Sequence, residues 1–216
     1  MKLSFCIRAV LIAPFFLGSL VAQESKIIQI REAGGSTQDQ ERYPDANILF
    51  KSDQKRVLLF HEGALIESDQ AYFYKKKNYF KAIGDVIFTQ GDSLRMTCKT
   101  IEYDGKTKTA YAQGDVFLER PDMTLRTEVL NLDRINEKAY YNTPGVIVDS
   151  TSTLKSNQGQ YFMNQKKYRF TSNVIINNPD YIVNSERLDY FTESNQAYLY
   201  GNSKIEGETY TVLCER

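Results

Sequence analysis

Apolar and polar residues alternate along most of this chain, and the alternation recurs with a period of about 29 residues. A run such as Leu94-Arg95-Met96-Thr97-Cys98-Lys99-Thr100-Ile101-Glu102-Tyr103 sends every second side chain to one face, which is strand and not helix periodicity. A polar segment follows each run, as in Lys75-Lys76-Lys77-Asn78, Asp104-Gly105-Lys106-Thr107 and Thr192-Glu193-Ser194-Asn195. Asn, Asp and Gly suit tight turns there because they tolerate left-handed backbone angles or bond locally. A second strand then runs to an apolar triplet. The pattern predicts five hairpins, over residues 63–91, 92–120, 121–150, 151–179 and 180–208. In the first two the match is literal, Ala82-Ile83-Gly84-Asp85-Val86-Ile87-Phe88 recurring as Ala112-Gln113-Gly114-Asp115-Val116-Phe117-Leu118. The triplet returns as Val146-Ile147-Val148 and Val174-Ile175-Ile176, and more weakly at Ser203-Lys204-Ile205. A lone hairpin is marginally stable in water, whereas stacked hairpins share one apolar core. The predicted fold is therefore all-β, built from stacked antiparallel hairpin repeats of about 30 residues.

The flanks read differently. Residues 1–22 place Lys2 and Arg8 before an apolar run broken by Pro14, which predicts a signal peptide and an exported protein. Residues 23–46 are polar and predict a flexible lead-in, within which Ile27-Ile28-Gln29-Ile30 has the makings of a short strand. The repeat body then occupies residues 47–216, opening on an incomplete, cap-like repeat with Ile48-Leu49-Phe50 and Val57-Leu58-Leu59-Phe60. Residues 209–216 start a sixth repeat, so the intact protein is expected to be longer. An unpaired strand there would seek a partner, either a second copy or a related β protein.

Charge changes the picture little: 27 basic and 27 acidic residues balance, and nothing calls for nucleic acid. Cys98 and Cys214 lie 116 positions apart, four repeats, and so occupy equivalent places in different layers. Four layers at about 4.8 Å separate them by roughly 19 Å, which excludes a disulfide and leaves two small strand residues. The single histidine, His61, has no partner set for zinc or for a nucleophilic triad. Gly84-Asp85 and Gly114-Asp115 would begin a carboxylate ladder, but Gly145 and Asn173 fall at the next equivalent places and end it. Those glycines instead suit a bend, with the aspartates solvated. Lys75-Lys76-Lys77 reads as a solvated turn tip, and the tyrosines of every repeat read either as packing or as an aromatic ladder along a groove. No catalytic residue, metal ligand or cofactor site is expected.

The leader, the hairpins, the Ala-x-Gly-Asp-Val strands at 82–86 and 112–116, and the Ser93-Leu94 to Tyr103 strand followed by Asp104-Gly105-Lys106-Thr107 resemble the OstA (organic solvent tolerance) N-terminal domain family. That family contains LptA-like lipopolysaccharide transport proteins. The resemblance covers residues 46–216 and implies an open, twisted β-jelly roll in the periplasm that carries lipopolysaccharide acyl chains toward the outer membrane. On that reading Val86, Phe88, Val116, Leu118, Val146, Val148, Val174 and Ile176, one parity of each triplet, would line a lipid-binding trough. The partners implied are lipopolysaccharide and other jelly rolls or a second copy joined by edge strands. The residues alone leave two alternatives open, a non-catalytic scaffold with a filled core and, less favoured, a polysaccharide enzyme on a β-solenoid.

Overall fold

A computed structural model describes residues 27–214. The expected signal peptide lies outside the described residues. The described chain forms two bodies, the first comprising residues up to 121 and 128–135, the second residues 122–127 and those from 136 onward. The expected all-β class holds. Nineteen strands and one short 3-10 turn, Lys75–Lys77, make up the secondary structure of the described residues.

The first body holds β1 (Gln29–Glu32), β2 (Gly35–Thr37), β3 (Asn47–Phe50), β4 (Val57–His61), β5 (Ala64–Ser68), β6 (Gln70–Tyr74), β7 (Tyr79–Gln90), β8 (Leu94–Asp104) and β9 (Thr109–Glu119). The chain changes bodies within β10 (Met123–Asp133). The second body adds β11 (Lys138–Tyr141), β12 (Gly145–Asp149), β13 (Thr153–Ser156), β14 (Gln158–Phe162), β15 (Lys167–Asn178), β16 (Tyr181–Phe191), β17 (Gln196–Tyr200), β18 (Ser203–Gly207) and β19 (Thr211–Cys214). Strand boundaries and polar turns coincide with the five predicted hairpins. The polar stretch before Asn47 also contributes structure: β1 pairs antiparallel with β4, β2 with β3, and Ile28 is buried at 2% exposure.

Each repeat strand serves two ladders, because it bends once near its middle. In β7 residues 79–83 pair with β6, and residues from 87 onward pair with β5. Registers break at the same depth in successive strands, between Ile83 and Val86, Thr97 and Thr100, and Thr171 and Val174. Gly84 and Asp85 (φ 81° and 41°), Gly114 and Asp115 (84° and 49°) and Ser172 and Asn173 (65° and 53°) occupy the bends in left-handed conformations. A side chain at Gly84 or Gly114 would also strike the preceding strand, its Cβ falling 2.9 Å from Asp69 Cβ or 2.6 Å from Lys99 Cγ. Bulges that carry strands from one sheet into another fold a single hydrogen-bonded layer into two facing walls.

A small polar residue marks the bend on the opposite strand of each hairpin. Ser68, Cys98, Thr127, Ser156 and Ser185 recur every 29 or 30 positions and are all buried. Four of them donate to the carbonyl two residues on: Ser68 to Gln70 (3.1 Å), Cys98 to Thr100 (3.2 Å), Ser156 to Gln158 (3.0 Å) and Ser185 to Arg187 (2.9 Å). The bend breaks the ladder, and these side chains satisfy the carbonyls it frees. Cys98 is therefore a corner residue in a serine row, its thiol pushed up to about 11 by burial. Cys214 continues the same spacing and is a free, exposed thiol.

Candidate functional site

Within each body, the side chains that point between the two ladders form the candidate site. In the first body one wall carries Leu59, Ile66, Phe88, Met96 and Leu118 in direct cross-strand register. The facing wall carries Leu49, Ala71, Ala82, Ile101 and Ala112, then Phe73, Phe80, Tyr103 and Ala110. Ala71, Ala82 and Ala112, each no more than 2% exposed, let the walls converge at the bend. Val86 and Val116 close the apex at 0% and 1% exposure, while Phe88 and Leu118, one step further out, are only partly buried.

The second body has a much smaller sealed core. Phe170, Val174 and Leu188 are buried at its apex, and Ile147, Leu154, Ile176, Tyr168, Ala197 and Leu199 pack on them partly exposed. Those six come from both walls. Leu125, Ile147, Leu154, Ile176, Val183 and Ile205 run in register along one wall. Ala139, Tyr161, Tyr168, Tyr190 and Ala197 run along the other, with Tyr161 and Tyr168 stacked at 4.4 Å between ring centroids. The inward tyrosines thus include a true ladder, whereas Tyr140, Tyr198 and Tyr200 sit on alternate positions facing outward.

Six of the eight residues expected in a trough, Val86, Phe88, Val116, Leu118, Val174 and Ile176, lie on inward positions, divided between the bodies. Val146 and Val148 do not. Their cross-strand neighbours are Arg126, Lys155, Thr124 and Thr153, and Val148 is 43% exposed, while Ile147 between them packs on the core. The reason is Gly145, which takes the apex place of Val86, Val116 and Val174 and shifts the triplet by one. Its missing side chain is replaced by the Tyr141 ring, which lies across Gly145 and Gly159, so that a Cβ would meet it at 2.6 and 2.4 Å. Tyr141 is 3% exposed, its hydroxyl 2.8 Å from Ser156 Oγ and its ionisation pushed up to about 12 by burial. Sequence spacing of 29 from Val116 to Gly145 to Val174 was the available signal; the apolar triplet obscured it.

Two charged clusters accompany these walls. On the outward face of the second body, Asp189 is 3% exposed and accepts paired bonds from Arg169 (2.8 and 2.7 Å) and Arg187 (3.0 and 2.8 Å). Burial opposes its ionisation, but the two guanidinium groups hold the carboxyl well below the usual carboxylate range. At the tips of the first body, the β4–β5 turn places Glu62 2.7 Å from Arg134 and 3.7 Å from Lys108. Burial again works against the charge, and the fields of Arg134, Lys108 and His61 outweigh it, leaving Glu62 below its ordinary value. His61 itself is buried against Tyr103, with ring centroids 5.2 Å apart. Among the described residues no three His, Cys, Asp or Glu side chains are placed to share a metal. Lys75–Lys77 is an exposed turn, with Lys77 over the Tyr74 ring and Lys76 paired to Asp45.

No curated protein matches the chain. The solved structure of LptH from Pseudomonas aeruginosa, described as the LptA-homologous periplasmic component of the lipopolysaccharide transport device, matches at 14% identity. That match covers 71% of this chain and 94% of the other, with a TM-score of 0.29. A family model described as OstA-like protein matches residues 24–186, three quarters of the sequence, and the chain belongs to that family.

Proposed function

We propose that this protein is a periplasmic lipopolysaccharide-binding and transport protein or domain, non-catalytic, whose two β walls shield acyl chains during outer-membrane assembly. The observation that carries this reading is the gradient of burial between the walls of the second body. Val174, Phe170 and Leu188 are sealed at the bend, while Ile147, Leu154, Ile176, Tyr168 and Leu199 remain partly exposed on two facing apolar surfaces. These side chains pack on the sealed ones and keep apolar surface open, and each acyl methylene that covers it gains about 0.8 kcal/mol. Membership in the OstA-like family supports the same reading.

The test is a photo-crosslinking scan in cells. Crosslinkers at 88, 118, 147 and 176 are expected to capture lipopolysaccharide, and those at 87, 117, 148 and 175, on the opposite parity, little. The positions at 86, 116 and 174 are too tightly packed to accept a bulky probe without loss of fold. Equal capture at both parities, or none, refutes a lipid path between the walls. A related β strand, from a partner jelly roll or a second copy, is proposed to join at β19, where Leu213 is 67% exposed.

A further inference from the structure

We propose that Lys108 and Arg134 form a binding site for the phosphate headgroup of an amphiphile, and that the Glu62 carboxylate occupies this site until a headgroup displaces it. The proposal rests on the lipid-carrier reading and names where the charged end of the ligand is held.

Glu62 belongs to one wall of the first body and its two cations to the other. The His61-Glu62-Gly63-Ala64 tip joins β4 to β5, whereas Lys108 lies in the β8–β9 turn and Arg134 follows β10, its N–H bonding Lys108 O at 3.1 Å. Glu62 therefore bridges the mouth. Two neighbours cross at the same level: His61 meets Tyr103, and Ile28 N–H donates to Asn78 Oδ1 at 3.0 Å. Together they account for a first body closed at its tips as well as at its bend.

Three features suit this closure to exchange. The ion pairs are accessible, with Glu62, Arg134 and Lys108 side chains 17%, 38% and 40% exposed, and pairs so placed contribute little net stability. The turn that carries the carboxylate is also strained: Glu62 has φ 44° ahead of Gly63 at 81°, in a two-residue turn whose first position favours Asn, Asp or Gly. Thirdly, Tyr103 is 9% exposed and its buried hydroxyl lies beside Arg134, which can only donate to it, so that the hydroxyl's own proton has no acceptor. Both Glu62 oxygens are already committed, one to each cation. A phosphate monoester brings a third acceptor oxygen and nearly twice the charge, so it can hold Arg134 and Lys108 and still accept from the tyrosine. Asp104, the nearest other carboxylate in this turn, is occupied by the N–H groups of Lys106 (2.7 Å) and Thr107 (3.1 Å).

The experiment compares binding of diphosphorylated lipid A, the same lipid stripped of phosphate, and inorganic phosphate to the purified full exported chain. The wild type is expected to favour the phosphorylated lipid by roughly tenfold, the scale of one charge-assisted pair. Glu62→Gln should tighten only the phosphorylated lipid, by several-fold. The double variant Lys108→Gln with Arg134→Gln should bring the two lipids to equal affinity, and Arg134→Lys should keep most of the preference, with circular dichroism confirming the fold of each. Lipid binding that ignores phosphate in every variant overturns this site and leaves the carrier reading standing. Absence of any lipid binding overturns both, and a Glu62-dependent response to inorganic phosphate equal to that of the lipid would mark a free-phosphate site instead.

Discussion

Tyr141 substitutes for two missing side chains, and that role has a measurable signature. Adding a methyl at Gly159 places a Cβ 2.4 Å from the Tyr141 ring, about 1 Å inside ordinary contact. Gly159 is not in a left-handed conformation, so the cost of Gly159→Ala comes from overpacking alone, about 2 kcal/mol. Tyr141→Ala removes an almost fully buried aromatic together with its bond to Ser156, a loss of about 4 kcal/mol. In the double variant the clash disappears and the new methyl fills part of the vacated space, recovering about 0.8 kcal/mol. The double variant should therefore lose only about 3 kcal/mol against a sum of about 6, a coupling of about 3 kcal/mol. Urea titrations of the four proteins, followed by circular dichroism with a shared m-value, supply the cycle. Additivity within about 0.5 kcal/mol would show that the ring does not sit across Gly159 and would undo the account of the shifted triplet.

Three further outcomes are expected. Asp189→Asn should destabilise the protein by about 2 kcal/mol at neutral pH, less than a fully buried pair because the arginines are about a third exposed. Since the folded carboxyl titrates below its unfolded value, that advantage of the wild type should persist above about pH 4 and shrink as the pH falls further, read from urea midpoints at several pH values. Ile147→Asp should cost several times more stability than Val148→Asp, because only Ile147 packs on the core; equal thermal shifts would refute the assigned parity. Light scattering on the 216-residue chain should show association that grows with concentration and weakens in Leu213→Pro, which removes a main-chain donor from β19.

Most of the fold was legible because strand periodicity and turn chemistry act locally. The alternation at 94–103 and the Asp104-Gly105 turn specify β8 and its hairpin with no knowledge of the partner wall. The two-walled arrangement was less visible. Its marks are Gly84-Asp85 and Gly114-Asp115, read in the sequence as bends, and the row Ser68, Cys98, Thr127, Ser156, Ser185, four of which share a hydrogen bond and not a residue type. The lead-in was legible only in part: the short strand read at 27–30 is present as β1, β2 was not read, and the apolar residues that anchor this polar stretch are few, Ile28 and Ala46 with Ala33 packed on the core.

The candidate site was legible only in part. An inward position in these walls is defined by its distance from the bend, so it can be filled by Gly145 as well as by Val86, provided another strand supplies the volume. Tyr141 does so from a neighbouring position along the same hairpin arm. Apolar triplets are thus an unreliable guide to the groove, and the spacing of 29 residues from bend to bend is the better one. Glu62, Lys108 and Arg134 escaped for a different reason. They lie up to 72 positions apart and meet only because two turns of separate ladders end at the same height. Charges at turn tips look solvated in any single hairpin, and only the facing wall gives them a partner. An apolar apex and a charged rim are what the proposed amphiphile site requires, and that division follows from the bend itself: it packs the middle of every strand and leaves the turns at the opening.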